Sequence, residues 1–460
     1  MTSLSSTSLD SFKSSIRGEI VLPDSSNFDE VRAIWNAMID RRPAIIVQCT
    51  GTADVKACLA FAKAEKLAIS IRGAGHNIAG NALRNDALLI DLSLLRSVTV
   101  DPAGKRVFAG PGATLGDIDH ETKEFGLATP TGINSTTGIS GLTLGGGIGW
   151  LTRQYGMTVD NVLSAEIVTA DGEVLIASEA ENTDLFWALC GGGGNFGIVT
   201  RWELRLHPVN NVFAGLVVFP EEERTAVLKQ YKQYVPSLPV TTSVWSVMRM
   251  APPLPFLPQD VHGKNVIILA FCHTGDPADG EACLEKLKSF GNPHGVHAGV
   301  MPFAAWQQAF DPLLTPGARN YWKSHNFTEL AGEMTDLLVE YTTNMPHPET
   351  EVFIAHLEGH ANTIAPDATA YSHRHTRFLV NMHGRWRDAD DDDVCRQWTC
   401  GLFEATKPYA ADGVYINFMS EDETERVKEG FGPNMERLAR IKTQYDPRNV
   451  FDRNQNIKPA

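Results

Sequence analysis

The chain has 460 residues, 43% hydrophobic and 8% aromatic, enough for a large core and, by length, for roughly two to three domains. A formal net charge of −15 with no offsetting basic block argues against nucleic acid or an anionic membrane surface as a partner. Seven scattered cysteines without metal-ligand spacing read as buried or free thiols; no apolar run approaches the roughly 20 residues of a membrane span, and Met1 to Ser15 is too Ser/Thr-rich for a secretory signal, which points to the cytoplasm.

Residues 27–66 read as helix, strand (Ala44 to Cys49) and helix (Ala53 to Ala64). A strand at Leu67 to Ile71 then runs into Arg72-Gly73-Ala74-Gly75-His76-Asn77, where two glycines free the backbone to expose successive N–H groups. Such a turn is an anion cradle suited to a pyrophosphate. Strands follow at Ala87 to Leu92, Ser97 to Val100 and Arg106 to Ala109, then a helix from Thr114, which can cap it, to about Phe125. The stretch Gly138 to Gly149 is a second turn, too dense in glycine for an ordinary helix, and Gly191 to Gly197 is a third. Three such turns suggest a large dinucleotide laid across the protein. Between them, Ala165 to Thr169 and Val174 to Ala177 flank a hairpin turn. The pattern Gly192-x-Gly194-x-x-Gly197 fits a nicotinamide-binding fingerprint in letters only. A helix (Asn182 to Leu189) precedes it and a strand (Ile198 to Leu206) follows, the reverse of the order that fingerprint needs.

The middle of the chain has longer strands, at Leu216 to Phe219, Ser243 to Met250, Asn265 to Cys272, Val352 to His360 and Phe378 to Trp386. Helices at Glu221 to Tyr234, Gly280 to Phe290 and Met334 to Thr343 would cover one face of the antiparallel sheet they form. The acidic run Asp388 to Asp393 reads as a solvated loop or helix start. The fold class is therefore α+β, with domains at 1–208 and 209–410 and a tail at 411–460. On the strand 352–360, His356, Glu358 and His360 share one face at period two, where a half-buried strand would carry apolar groups. If that face looks into the site, Glu358 can serve as a general base beside His356. Asn381, His383 and Arg385 on the adjoining strand have either a site or a solvent-facing role, and Trp245 and Met248 are pocket walls or core.

With Arg72 to His76, Gly138 to Trp150, Asp184-Leu185-Phe186-Trp187 leading into Gly191 to Val199, Tyr415-Ile416-Asn417-Phe418, and Tyr445 to Phe451 followed by Asn454 to Ile457, the chain resembles the vanillyl-alcohol oxidase superfamily, in particular its berberine-bridge-enzyme-like members. The resemblance spans nearly the whole chain in order. It implies a PCMH-type FAD-binding domain, to which the tail 411–460 returns, and a substrate domain built on the antiparallel sheet. FAD would be held by Arg72, Gly73, Ala74, Gly75, His76 and Asn77, by Thr137, Gly138, Gly141, Leu142, Gly145 and Gly149, by Gly197, Ile198 and Val199, and by Asn417, Asn454 and Gln455. Asn454 and Gln455 match the amides that hold the pyrimidine edge of the flavin ring.

His76 matches the histidine that bonds to the flavin 8α-methyl group in this family; alkylated imidazole withdraws electrons and raises the flavin potential. Many relatives add a cysteinyl link, but Asn134 occupies that position here, so a single link is expected. The family's plant-type oxidases read Tyr-x-Asn-Tyr where this chain has Tyr415-x-Asn417-Phe418, so their usual base is missing. Strand alternation would put Tyr415 on the face opposite 418. The candidate catalytic residues are therefore Glu358, Tyr415 and His356. The implied reaction takes two electrons from a small molecule to flavin N5 and then to O2. A substrate that ionises readily is favoured: a phenol, a polyketide or an activated alcohol of secondary metabolism. A carbohydrate oxidase and a non-redox cyclase are the alternatives. The sequence leaves the oligomeric state open, and no metal site is expected.

Overall fold

Short, uninterrupted apolar runs build the first of three sheets in the computed structural model, which describes residues 6–460. Ile45–Gln48, Leu88–Asp91 and Ile69–Arg72 pair in parallel, and Glu19–Val21 adds antiparallel at the edge. Residues 45–47 and 88–90 have no exposed surface, as parallel strands covered on both faces require. The helix Thr52–Glu65 packs Val55, Cys58, Leu59 and Ala62 against one face, while Ile46 and Leu89 meet Phe28 and Ile34 on the other.

The second sheet is antiparallel, in the order Val98–Asp101, Arg106–Ala109, Ile198–Arg205, Val162–Val168, Val174–Ser178. The helix Leu115–Thr122 opens on a reciprocal cap: Asp117 N donates to Thr114 Oγ1 at 3.3 Å, and Thr114 N donates to Asp117 Oδ2 at 2.8 Å.

The third sheet has seven antiparallel strands, in the order Gly295–Pro302, Asn211–Pro220, Asn265–His273, Thr242–Met250, Glu351–His356, Phe378–Trp386, Arg319–Phe327. Period-two alternation sends its side chains into two different cores. Val244, Met248, Val352, Ile354, Val380 and Met382 pack under the helices Arg224–Tyr234, Pro277–Lys288, Gly332–Thr343 and Asp392–Thr406. Trp245, Phe353, Ala355 and Leu379 face the other way, into a core shared with Ile148, Trp150 and Phe196. The C-terminal segment joins that same core through Val414, Tyr415, Phe431, Leu438, Ile441 and Ile457. Lys442, with no exposed surface, fastens it: Nζ donates to Asn195 O at 2.7 Å, Asp446 Oδ2 at 2.7 Å and Phe451 O at 3.0 Å.

The structure corrects four local expectations. The Gly138–Gly149 stretch contains a short helix, Ile139–Leu144. The segment at 415–418 is a single tight helical turn, Ile416–Phe418, instead of a strand. The strand expected to reach His360 stops at His356, and His360 opens a short turn of helix instead. Gly295–Pro302 and Arg319–Phe327 are strands without a legible strand pattern; the second, RNYWKSHNF, is polar at most positions and yet largely buried. All seven cysteines are free thiols, and among the described residues no helix is long and apolar enough to cross a membrane.

Candidate functional site

The glycine-rich turns converge on one elongated cleft between the first two sheets, the C-terminal segment and the inner face of the third sheet. Its first wall is the turn after Ile69–Arg72. Gly73, Ala74, Gly75, His76 and Asn77 all line the cleft, and among the described residues none of their five backbone N–H groups has a protein acceptor. Successive unpaired amides form a concave anion site. Gly75 has φ +73°, which an L side chain rarely adopts, and Gly138 faces Ala74 so closely that an added Cβ would lie 2.8 Å from the Ala74 Cβ. Glycine at these points lets the two turns meet. Gly141 and Gly194 line the cleft, and an added Cβ there would meet nothing within 4 Å beyond the adjoining backbone, so a methyl group would project into the cleft.

Thr137, Gly138, Leu142, Gly145, Gly197, Ile198, Val199, Asn417, Asn454 and Gln455 also line this space. Asn417 Nδ2 donates to Leu142 O and to the Tyr415 hydroxyl, each at 3.0 Å. Asn454 Nδ2 donates to Gly194 O at 2.8 Å, which leaves its buried Oδ1 without a protein partner. The donor set, amide cradle and glycine-lined slot fit an elongated dinucleotide with a pyrophosphate and a polar ring edge.

Two of the expected holders lie elsewhere. Arg72 turns back into the fold, where its Nε donates to Asp91 Oδ1 at 3.0 Å and Nη2 pairs with Asp91 Oδ2 at 2.5 Å. Gly149 packs on the Thr131 carbonyl. His356 and Glu358 are also corrected. His356 is fully buried on the helix-covered side, stacked on Phe378 with centroids 5.0 Å apart, and Glu358 pairs with Arg377 at 2.6 Å. The reason is parity. Counting by two from Glu351 gives 351, 353 and 355 on the cleft face, and His356 falls on the other.

Around that cleft face Trp245, His383 and Phe418, which the sequence singled out, meet Trp35, Trp322, Phe353 and Glu351, which it did not. Trp35, Trp245, Trp322, Phe353 and Phe418 form an aromatic end to the cleft, with Glu351 and His383 beside them. Glu351 and His383 are register partners on adjacent strands, as are Arg249 and Glu351. Glu351 Oε2 pairs with Arg249 at 2.6 Å, and Oε1 lies 3.3 Å from His383 Nδ1. Burial pushes the Glu351 carboxyl up, but Arg249, His383 and Arg385 outweigh it and hold the pKa down, at about 2. Burial pushes His383 below its ordinary value. The resting pair is therefore carboxylate and neutral imidazole. His383 Nε2 lies 3.3 Å from Asn320 Oδ1.

Tyr415 lines the cleft from a single turn that brings all four of residues 415–418 to its wall, so strand alternation does not separate 415 from 418. Its hydroxyl accepts from Gly147 N and Asn417 Nδ2 at 3.0 Å, and burial pushes its pKa up to about 12. His76, half-buried, lines the same cleft and stacks on Trp35 with centroids 4.3 Å apart. Its Nε2 lies 3.2 Å from Thr136 Oγ1, and burial pushes its pKa down to about 3.

The family model described as "FAD binding domain" matches residues 43–178, and that described as "Berberine and berberine like" matches 414–458. The FAD-linked oxidoreductase OXR1 of Pyricularia oryzae is 30% identical over 92% of this chain and 86% of its own length. The crystal structure of 6-hydroxy-D-nicotine oxidase from Arthrobacter nicotinovorans superposes with a TM-score of 0.85 at 28% identity, covering 97% of this chain and 99% of that one. A chitooligosaccharide oxidase shares the fold, with a TM-score of 0.87 at 21% identity over 98% of this chain and 100% of its own.

Proposed function

Because the chain belongs to the FAD-linked oxidoreductases of the berberine-bridge-enzyme-like family, we propose that it is an oxidase of a planar, conjugated small molecule: a phenol, a polyketide or an activated alcohol of secondary metabolism. The observation that carries this reading is the Glu351–His383 pair at the aromatic end of the cleft. FAD, when bound, supplies the two-electron acceptor and the route to O2. The chain holds the cofactor and handles one proton. The free amides of residues 73–77 receive the pyrophosphate, Asn417, Asn454 and Gln455 meet the polar edge of the ring, and His76 forms the single covalent link. Asn134 lines the cleft at the other anchor position but carries no sulfur for a thioether. In this reading residues 1–208 with 411–460 hold the cofactor, and 209–410 hold the substrate.

The aromatic side chains stack a flat substrate against the cofactor. Neutral His383 takes the substrate proton while Glu351, ionised beside Arg249, stabilises the imidazolium. That imidazolium has an acceptor at each nitrogen, Glu351 Oε1 and Asn320 Oδ1, both at 3.3 Å. Phe418 cannot accept a proton, and Tyr415, with its pKa raised to about 12, stays protonated at neutral pH. An imidazole is a modest base, which is why an easily ionised substrate suits the site better than a sugar hydroxyl.

The test is anaerobic mixing of the flavin-loaded protein with phenolic, polyketide and sugar substrates while the flavin absorbance is followed. Bleaching by the conjugated class, reversed by air, is expected. Bleaching by simple sugars alone would overturn the substrate class. Conversion of substrate without bleaching or oxygen uptake would overturn the oxidase reading in favour of non-redox cyclisation.

A further inference from the structure

We infer that Asn320, oriented by Arg385, fixes the His383 proton on Nε2 and so makes Nδ1, on the Glu351 side, the nitrogen that takes the substrate proton. The inference rests on the base assigned to His383 above and deepens it. Asn320 Nδ2 donates to Ala318 O at 2.8 Å, and a carbonyl can only accept. Arg385 Nη1 lies 3.3 Å from Asn320 Oδ1, and a guanidinium can only donate. Both contacts turn the amide the same way, with its oxygen toward His383 Nε2 at 3.3 Å. That oxygen carries no proton, so Nε2 supplies the one between them. In the neutral ring the lone pair is then on Nδ1.

Nδ1 lies 3.3 Å from Glu351 Oε1, itself an acceptor while the carboxyl is ionised. Two lone pairs face each other there with no proton between them. Arg249 makes this tolerable by drawing the carboxylate charge toward Oε2, which lies 2.6 Å from its Nη1. The gap is a ready place for one proton. It is also on the accessible side, since Glu351 and His383 line the cleft and Asn320 does not. When the substrate O–H bond breaks, its proton goes to Nδ1 and its electron pair stays on the substrate oxygen. The new N–H then donates to Glu351 Oε1.

Other contacts hold this arrangement still. Asn320, His383 and Arg385 are each no more than 2% exposed. Arg385 Nε donates to Glu349 Oε2 at 2.9 Å and Nη2 to Thr315 O at 2.7 Å, which leaves Nη1 for Asn320. Asn36 clamps the Asn320 backbone: its Oδ1 accepts from Asn320 N and its Nδ2 donates to Asn320 O, each at 3.0 Å. Trp322 stands edge-on to the imidazole, with centroids 4.2 Å apart. The charges that act on the ring are those of Glu351, Arg385 and Arg249, and the neighbouring His76 is neutral. Asn320 and Arg385 are positioning residues: they act through His383.

The experiment uses the full flavin-loaded chain, isotope-labelled at the histidine nitrogens and followed by NMR across pH, with His383 assigned by the signals lost in His383→Gln. Wild-type protein is expected to show the Nε2–H tautomer and to gain its second proton at Nδ1 on acidification. Asn320→Leu should move the proton to Nδ1. Asn320→Asp keeps an acceptor, so it should retain Nε2–H and raise the His383 midpoint by about one pH unit or more. With a conjugated substrate that bleaches the flavin, Asn320→Leu should lower kcat about tenfold or more at unchanged KM and FAD content, the factor one hydrogen bond to a charged group supplies. An Nδ1–H tautomer in wild-type protein, or wild-type kcat in Asn320→Leu, would overturn the positioning role and leave His383 as the base. Unchanged turnover in His383→Gln would overturn both. The wild-type tautomer is read directly, so it decides even if Asn320→Leu does not fold.

Discussion

At the scale of single residues, Glu351 and Asp119 are the carboxylates whose environments make measurable claims. Replacing Glu351 with Gln removes the charge that stabilises protonated His383. The turnover rate should then fall by about 10²- to 10⁴-fold with FAD content unchanged, as measured by steady-state kinetics and flavin absorbance. Because burial depresses the His383 pKa, the acid limb of kcat/KM should lie below the ordinary histidine value of about 6.5. An acid limb above pH 7 would remove His383 as the base. Asp119 behaves oppositely. It is buried on the helix Leu115–Thr122 with Oδ1 unpartnered and Oδ2 3.5 Å from Gln307 Nε2, and burial raises its pKa from 3.8 to about 7. The unfolded chain gives up this proton near pH 3.8 and the folded chain keeps it to about pH 7. Its contribution to stability is therefore lost as pH rises through that window and stays lost above it. Asp119→Asn should raise the melting temperature at pH 8 relative to pH 4, by up to about 4 kcal/mol in stability. Neither carboxylate stood out in the sequence, because an acidic letter does not announce what buries it.

At the scale of elements, the outcome turned on phase. The strand Glu351–His356 was legible as a strand, but with its first residue placed at 352 the titratable row His356, Glu358 and His360 drew attention away from Glu351. One residue of phase separates the helix-covered core from the cleft, since successive side chains point to opposite faces. The Arg319–Phe327 strand was missed for a related reason: this edge strand is buried and yet polar at most positions, so no apolar alternation marks it in the letters. The glycine turns were legible because a missing Cβ is itself visible in the letters. Gly145 tests this. An added Cβ would lie 2.1 Å from Asn417 Oδ1, displacing the side chain that bonds Leu142 O and the Tyr415 hydroxyl. Gly145→Ala should fold but bind FAD at least about tenfold more weakly, as measured by titration of flavin-free protein.

At the scale of the whole molecule, the C-terminal segment closes the cleft, and Lys442 locks it to the glycine-rich turn through Asn195 O. Lys442→Met leaves Asp446 buried as an unpaired charge, so stability should fall by about 3–5 kcal/mol in denaturant unfolding, with the flavin becoming exposed to solvent, read by its fluorescence, before the main transition. Flavin fluorescence that changes only with the main transition would show that the segment does not close the site. The sequence alone determined the α+β class and, by resemblance, the FAD-linked family, and it named most of the glycine-rich residues that line the cleft, because glycine placement and strand-to-turn order are local properties that the backbone must obey. It did not determine Arg72's turn toward Asp91, Trp35 stacked on His76, or the pairing of Glu351 with Arg249 and His383. Those depend on register between strands and on segments distant in sequence, so only the packed structure could decide which side chains meet.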